Sequence, residues 1–390
     1  MLCPGLQVIL ARILVKGLLR MLFSRQVVSR PIVLLLLLGL LSACAPRLAP
    51  PGNMTNAAAL TPDSLITDDG LALPLRSWLP KNQSASETKL KFLPETASEP
   101  TLPKPKAVIL ALHGFNDYSN AFDAPGRYWA KTGIATYAYD QRGFGAAPHR
   151  GLWGGHDRMI ADLRNAIARL HDKHPDTPLF LVGESMGGAL IMAALQESLP
   201  LEVDGIVLSA PAVWARQTMP WYQRASLWLV AHTTPWASFT GSGLKIQASD
   251  NIPMLIGLGK DPLVIKSTRI DAVYGLTDLM DAAYEAPGNL TLPALLLYGK
   301  KDEVVPWEPT RDVWQSLPNG IAGDQRAALY EEGWHMLLRD LQAETVLKDI
   351  ASWVANPDAP LPSAADGKAR KVLEDEDTVP QTGEAPELQQ

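Results

Sequence analysis

The chain has 390 residues, 47% of them hydrophobic, which is enough to bury a full-sized core in one large domain or two ordinary ones. Its formal net charge is −6, but the first 43 residues carry five basic side chains and no acidic one, so the remainder stands near −11. No basic patch offers itself to nucleic acid, no period of about 20 to 50 residues indicates a repeat array, and the only cysteines, Cys3 and Cys44, exclude a disulfide framework or thiolate metal site in the body.

In chain order the first element is a leader. Arg25 and Arg30 precede an apolar run over residues 31–41, long enough for a signal-peptide core but short of the roughly 20 residues of a membrane-spanning helix. It ends in Leu41-Ser42-Ala43-Cys44, which resembles the lipobox of bacterial lipoproteins, where the cysteine is diacylated and becomes the first mature residue. The expectation is a signal peptide over 1–43, with Met21 a second candidate start, and palmitate-like acyl chains on Cys44 that hold the protein to a membrane. Two chains anchor firmly where one is marginal, each buried methylene contributing about 0.8 kcal/mol. Ala45 after the cysteine resembles the sorting pattern for the outer membrane, with the body facing the periplasm. The alternatives are an ordinary signal peptide or a retained anchor helix.

Residues 44–60 are rich in Pro, Ala and Asn without periodicity and read as a tether. The body is expected over 61–356. Within it, residues 107–112 (AVILAL) and 134–139 (IATYAY) read as short buried strands, followed by 179–182, 205–208 and 294–298. Between strands, Ile160, Leu163, Ile167 and Leu170 recur at helical spacing over 157–171. Apolar strands alternating with amphipathic helices predict an α/β fold, a mostly parallel sheet covered on both faces, with its ligand site beyond the carboxyl ends of the strands. Residues 357–390 hold eight acidic and three basic side chains among Pro and Ala and are expected to be disordered.

The chemistry-bearing motifs fall at those strand ends. After AVILAL comes His113-Gly114-Phe115-Asn116-Asp117, a loop expected to offer the backbone N–H of Phe115 to an oxyanion. His113 precedes the nucleophile in the wrong order to be its base and reads as a structural loop residue. Gly183-Glu184-Ser185-Met186-Gly187 follows the strand LFLV and opens a helix-like run, the strand–turn–helix context of a nucleophile elbow. Ser185 is then the nucleophile, and the Met186 amide the second oxyanion donor. A serine hydroxyl needs a base and an orienting acid, in the order Ser, acid, His. Asp302 follows the strand ALLLYG, with Glu303 read as a solvated charge. His335 lies in Glu332-Gly333-Trp334-His335, whereas His232 sits in a Trp-rich helical stretch and reads as a wall residue.

Taken together, the loop at His113, YDQRGFG over 139–145, GESMGG, YGKKDEVVP and EGWHMLLRD resemble the monoacylglycerol lipase and lysophospholipase branch of the α/β-hydrolases, grouped with serine aminopeptidases, over about residues 64–355. The resemblance implies Ser185, Asp302 and His335 as triad, Phe115 and Met186 as oxyanion donors, and a helical cap after the sixth strand at about 212–290. It implies no metal and no organic cofactor. In the cap, Trp221, Ala225, Trp228 and His232 share a helical face; the rings either pack the cap onto the body, line an acyl-chain tunnel as substrate-binding residues, or touch the membrane. One departure is Glu184, where lipases of the family often carry His. The leading expectation is hydrolysis of a carboxylic ester, a monoacylglycerol or lysophospholipid-like lipid, through an acyl-enzyme. Its rivals are peptide or amide hydrolysis of the aminopeptidase type and a non-catalytic envelope lipoprotein that keeps the fold for binding. An intact triad argues against the second. Epoxide hydrolases and dehalogenases of the fold place Asp where Ser185 stands.

Overall fold

A computed structural model describes residues 45–54, 57–81, 103–241, 246–318 and 324–377. The expected signal peptide, Cys44 and residues 378–390 lie outside the described residues. The strands are β1 (Ala59–Leu60), β2 (Ser64–Ile66), β3 (Ala72–Trp78), β4 (Ala107–Leu112), β5 (Ile134–Tyr139), β6 (Leu179–Glu184), β7 (Gly205–Ser209), β8 (Ser238–Phe239), β9 (Thr268–Arg269), β10 (Ala294–Gly299) and β11 (Gln325–Tyr330). All but the small β8–β9 pair join one sheet in the order β1-β2-β3-β5-β4-β6-β7-β10-β11. From β5 to β11 every pairing is parallel; β1, β2 and β3 run antiparallel at one edge.

Burial on both faces explains the unbroken apolar runs of the central strands. Side chains alternate between the faces: Val108, Leu110 and Leu112 of β4 join one core cluster, and Ile109 and Ala111 join the other. Helices α2 (His156–Lys173), α3 (Met186–Ala194), α6 (Ile270–Glu285) and α7 (Trp307–Gln315) contribute to the first cluster through Leu163, Leu190, Leu279 and Trp314. Helices α1 (Asp123–Thr132) and α8 (Ala343–Ala355) contribute Trp129 and Trp353 to the second. This is the α/β architecture expected.

Three expected boundaries change. The cap follows the seventh strand in chain order, because β1 precedes the rest, and its expected range of 212–290 divides. The cap consists of α4 (Trp221–Thr233), β8, α5 (Ile252–Lys260) and β9, while α6 buries Ala272, Leu279 and Ala283 in the main core. The tail is not disordered from 357, because α9 (Ala365–Asp377) is folded and buries Ala365, Ala369 and Leu373. Its apolar side chains recur once per turn, a signal weaker than the Pro and charge around them. The tether is docked from Leu48 onward: Ala49 N–H donates to Trp153 O at 2.7 Å. That contact is made by backbone, which no side-chain pattern reveals.

Candidate active site

Ser185 stands between β6 and α3 with φ 53° and ψ −114°, a left-handed conformation that costs about 1–3 kcal/mol for a residue with a side chain. Neighbouring backbone holds it there. Ser185 N–H donates to Ser209 O at 2.9 Å, and its own carbonyl accepts from Ala189 and Ala212. The turn closes only over glycine: a Cβ on Gly183 would lie 2.5 Å from Gly188 N, and one on Gly187 would lie 2.1 Å from Leu112 O. The hydroxyl therefore sits at the N-terminus of α3, where free N–H groups favour negative charge.

Asp302 leaves the end of β10, and His335 follows β11. His335 Nδ1 and Asp302 Oδ2 are 2.8 Å apart, and the carboxylate is fully buried. Its other oxygen accepts from Val304 N–H at 2.7 Å and Val305 N–H at 3.0 Å, which fixes its plane. Glu303, by contrast, points away and is exposed, as expected, and also accepts from Gln247 N–H of the cap at 2.7 Å. Burial pulls the His335 pKa down, but the Asp302 carboxylate, its hydrogen bond and the Glu184 charge push it up, and the net lies above the ordinary histidine value.

Phe115 lies in the loop after β4, its ring edge-on to Phe144 at 5.5 Å. Among the described residues neither its N–H nor that of Met186 donates to a backbone carbonyl, so both amides are free for a ligand oxygen. His113 is fully buried; its Nε2 accepts from Gln141 N–H at 3.0 Å, and its Nδ1 lies 2.9 Å from Gly114 O. Both ring nitrogens are thus engaged by backbone, one in its own loop and one in the loop after β5. Two feet of the cap clasp these catalytic loops. Asn116 O accepts from Ile265 N–H and its Nδ2 donates to Thr268 Oγ1 at 2.7 Å; Met336 N–H donates to Ala248 O, and Asp340 accepts from Ser249 Oγ at 2.6 Å.

Sequence reasoning missed a buried ion triad beneath the site. Arg339 donates to Asp117 Oδ2 at 2.7 Å and to Glu184 Oε2 at 2.9 Å, with side chains between 3% and 9% exposed. Burial raises the Glu184 pKa, although Arg339 opposes it. Glu184 Oε1 and Arg339 Nε are buried without a hydrogen-bond partner. The signal was present in Leu337-Leu338-Arg339: a cation beside two buried leucines requires buried anions.

A cavity of about 650 Å³ opens beside Phe115, between its loop and the cap, lined by Asn116, Phe239, Ile265, Lys266, Thr268 and Val273 among others. A larger one of about 870 Å³ beside Trp78 and Arg127 contains no candidate catalytic residue. Neither holds Trp221 or Trp228. Those rings are 73% and 55% exposed on α4, so the expectation that they wall an acyl tunnel is corrected: α4 buries only Ala231 and turns its aromatic face outward. His232 is half-buried between the cap and the body, stacked on Trp228 at 4.6 Å and edge-on to Tyr274 of α6 at 5.4 Å. The one grouping of carboxylates close enough for a metal among the described residues, Asp68, Asp69 and Asp162, is occupied by guanidinium groups, Arg142 on Asp69 and Asp162 and Arg158 on Asp68.

A parallel sheet of this order, with serine at a left-handed strand–helix turn after β6 and an Asp–His pair after β10 and β11, defines an α/β-hydrolase of the serine type. The family described as serine aminopeptidase, S33 matches residues 103–342, and the chain belongs to it. Relatives include a monoacylglycerol lipase from Mycolicibacterium smegmatis, 25% identical over 65% of this chain and 89% of that protein. A monoglyceride lipase from Rattus norvegicus is 24% identical over 65% of this chain and 83% of its own length. Among solved structures, a soluble variant of monoglyceride lipase from Saccharomyces cerevisiae shares the fold with TM-score 0.59 at 19% identity, covering 78% of this chain and 98% of that one.

Proposed function

We propose that the protein hydrolyses carboxylic esters of a single acyl chain, of the monoacylglycerol type, through an acyl-enzyme on Ser185. The observation that carries the reading is the 2.8 Å Asp302–His335 contact after β10 and β11, at the same end of the parallel sheet as the Ser185 turn after β6. With Asp302 holding Nδ1–H, Nε2 of His335 keeps a lone pair to take the Ser185 proton as Oγ attacks the carbonyl. The oxyanion forms between the amides of Phe115 and Met186. His335 then gives the proton to the leaving alcohol, and a water deprotonated by the same imidazole releases the fatty acid.

Three observations support ester over amide. The monoacylglycerol and monoglyceride lipases match over most of their length. Among the described residues that line the cavity beside Phe115 there is no carboxylate to receive the α-ammonium of a peptide, and the cation among them, Lys266, would repel it. Large apolar side chains on α4 and α5 face outward, which suits work at a lipid surface. We further propose that Cys44 is acylated and the protein is an envelope lipoprotein, outer-membrane bound and facing the periplasm; the lipobox-like Leu41-Ser42-Ala43-Cys44 supports it. No helix among the described residues is long and apolar enough to cross a membrane.

A substrate panel on wild type and Ser185→Ala tests the activity. Monoacylglycerols and medium-chain esters are expected to turn over faster than triacylglycerols, and Ser185→Ala to lose both turnover and fluorophosphonate labelling. Efficient cleavage of N-terminal prolyl peptides with negligible esterase activity would overturn the reading. The pH profile gives a second check. Only neutral His335 can take the proton, so kcat/KM falls on the acid side as the imidazole is protonated, with its midpoint above the ordinary 6.5. Glu184→Gln removes a charge that favours the imidazolium and is expected to move that limb to lower pH. An unmoved limb would mean that Glu184 does not act on His335.

A further inference from the structure

Residues 48–52 lie against the body where they were expected to swing free. Leu48 bridges Trp153 in parallel register. Ala49 N–H donates to Trp153 O at 2.7 Å, and Gly52 N–H donates to Asp69 Oδ2 at 2.9 Å. The second contact is tight, since a Cβ on Gly52 would stand 2.0 Å from Asp69 O.

Both docking points belong to the end of the sheet that carries Ser185. Trp153 lies in the connection between the C-terminal end of β5 and α2, and β5 runs parallel, through β4, to β6, whose C-terminal end leads into Ser185. Asp69 lies in the turn between β2 and β3, and the antiparallel pairing of β3 with β5 puts the start of β3 at that same end. From Trp153 a line of contacts runs into the cap. Its ring fills the space that a Cβ on Gly275 of α6 would need, the Tyr274 ring meets His232 at 5.4 Å, and His232 stacks on Trp228. On α4 and α5, Trp221, Tyr222, Trp228, Leu229, Ile252 and Ile256 are between 50% and 73% exposed.

We propose that residues 48–52 form a docked strap which holds the catalytic end and the apolar face of α4 and α5 against the bilayer that carries the anchor, so that the enzyme takes single-chain lipids from its own membrane. This rests on the reading of Cys44 as acylated. Four peptide steps separate Cys44 from Leu48, a reach of at most about 14 Å. A free linker over the 17 residues 44–60 would extend to about 60 Å and leave every orientation open. With the strap docked, the only way to seat the acyl chains in lipid is to bring the Ser185 end of the molecule near the surface, where exposed Trp rings are favoured. The short attachment also keeps the site at high effective concentration relative to lipid in the same leaflet.

The test uses the full-length protein, purified from bacterial membranes in detergent and reconstituted into phosphatidylethanolamine–phosphatidylglycerol vesicles with brominated acyl chains. Mass spectrometry of the wild type first establishes the lipid on Cys44. The undocked variant is Ala49→Pro with Gly52→Val, which removes one N–H donor and places a side chain on Asp69 O. A second variant inserts twelve Gly and Ser residues between Pro46 and Arg47, lengthening the free chain while leaving the docked residues untouched; it carries the test if the first fails to fold. In both, fluorophosphonate labelling and turnover of a water-soluble short-chain ester are expected to match wild type. Bromine quenching of Trp221 and Trp228 fluorescence, assigned by their Phe variants, is expected to fall, and hydrolysis of monoacylglycerol held in the same vesicles to drop on the order of tenfold. Unchanged quenching and vesicle turnover would overturn the strap while leaving the anchor standing. Equal loss of soluble-ester turnover in the undocked variant would assign the strap to shaping the Phe115 loop through Trp153, and overturn the orientation. A wild type without lipid on Cys44 would refute the anchor, and the strap proposal with it.

Discussion

Replacing Asp302 by Asn leaves the protein folded and lowers kcat on monoacylglycerol by on the order of 10⁴. Asn fills the same volume, and its carbonyl oxygen can still accept from the amides of Val304 and Val305, so the loop after β10 keeps its shape. The amide NH₂ then faces His335 Nδ1, where the carboxylate had stood at 2.8 Å. That nitrogen must now accept, the proton moves to Nε2, and no lone pair remains for Ser185. Steady-state kinetics beside a thermal melt reads both halves of the expectation. A loss under about tenfold would mean that another carboxylate orients the imidazole, yet the nearest in sequence, Glu303, is held by Gln247.

Arg339→Met is expected to destabilise the fold by about 3–5 kcal/mol, because it leaves the carboxylates of Asp117 and Glu184 buried without their shared cation. Methionine keeps most of the volume, so the loss is electrostatic and not a cavity. Chemical denaturation measures it, and adding Asp117→Asn with Glu184→Gln is expected to recover a large part. The same substitution removes a positive charge that holds the His335 pKa down, so the acid limb of the surviving activity moves to higher pH. A stability change below about 1 kcal/mol would reduce the triad to the rank of a surface ion pair.

The sequence made the reacting groups legible because each is tied to a backbone pattern. The Ser185 turn demands glycine at 183 and 187 between a buried strand and a helix, and Asp302 and His335 follow apolar strands in a fixed order. The fold class was legible for the same reason: β4, β6 as far as Val182, and β10 are continuous apolar runs buried on both faces. What stayed hidden depends on contacts between distant segments. Arg339 meets partners 155 and 222 residues away, and no local pattern pairs them. Trp221 and Trp228 have the spacing of a helical face, but spacing does not say whether that face looks inward or outward. The docking of Ala49 and Gly52 uses main-chain donors alone.

Helix α9 has a consequence for the order of folding. Among the described residues the sheet ends at β11, whose outer side has no strand partner. Leu361 and Ala365 belong to the core on one side of the sheet, Ala369 and Leu373 to the core on the other, and α9 packs against β11 between them. It therefore closes both layers at once and shields a parallel edge that would otherwise be open to pairing with a second chain. Translation delivers α9 after every strand it covers. A ribosome-bound chain that has released the whole sheet still has both layers open along β11, and only the emergence of a stretch that looks like solvated tail seals them.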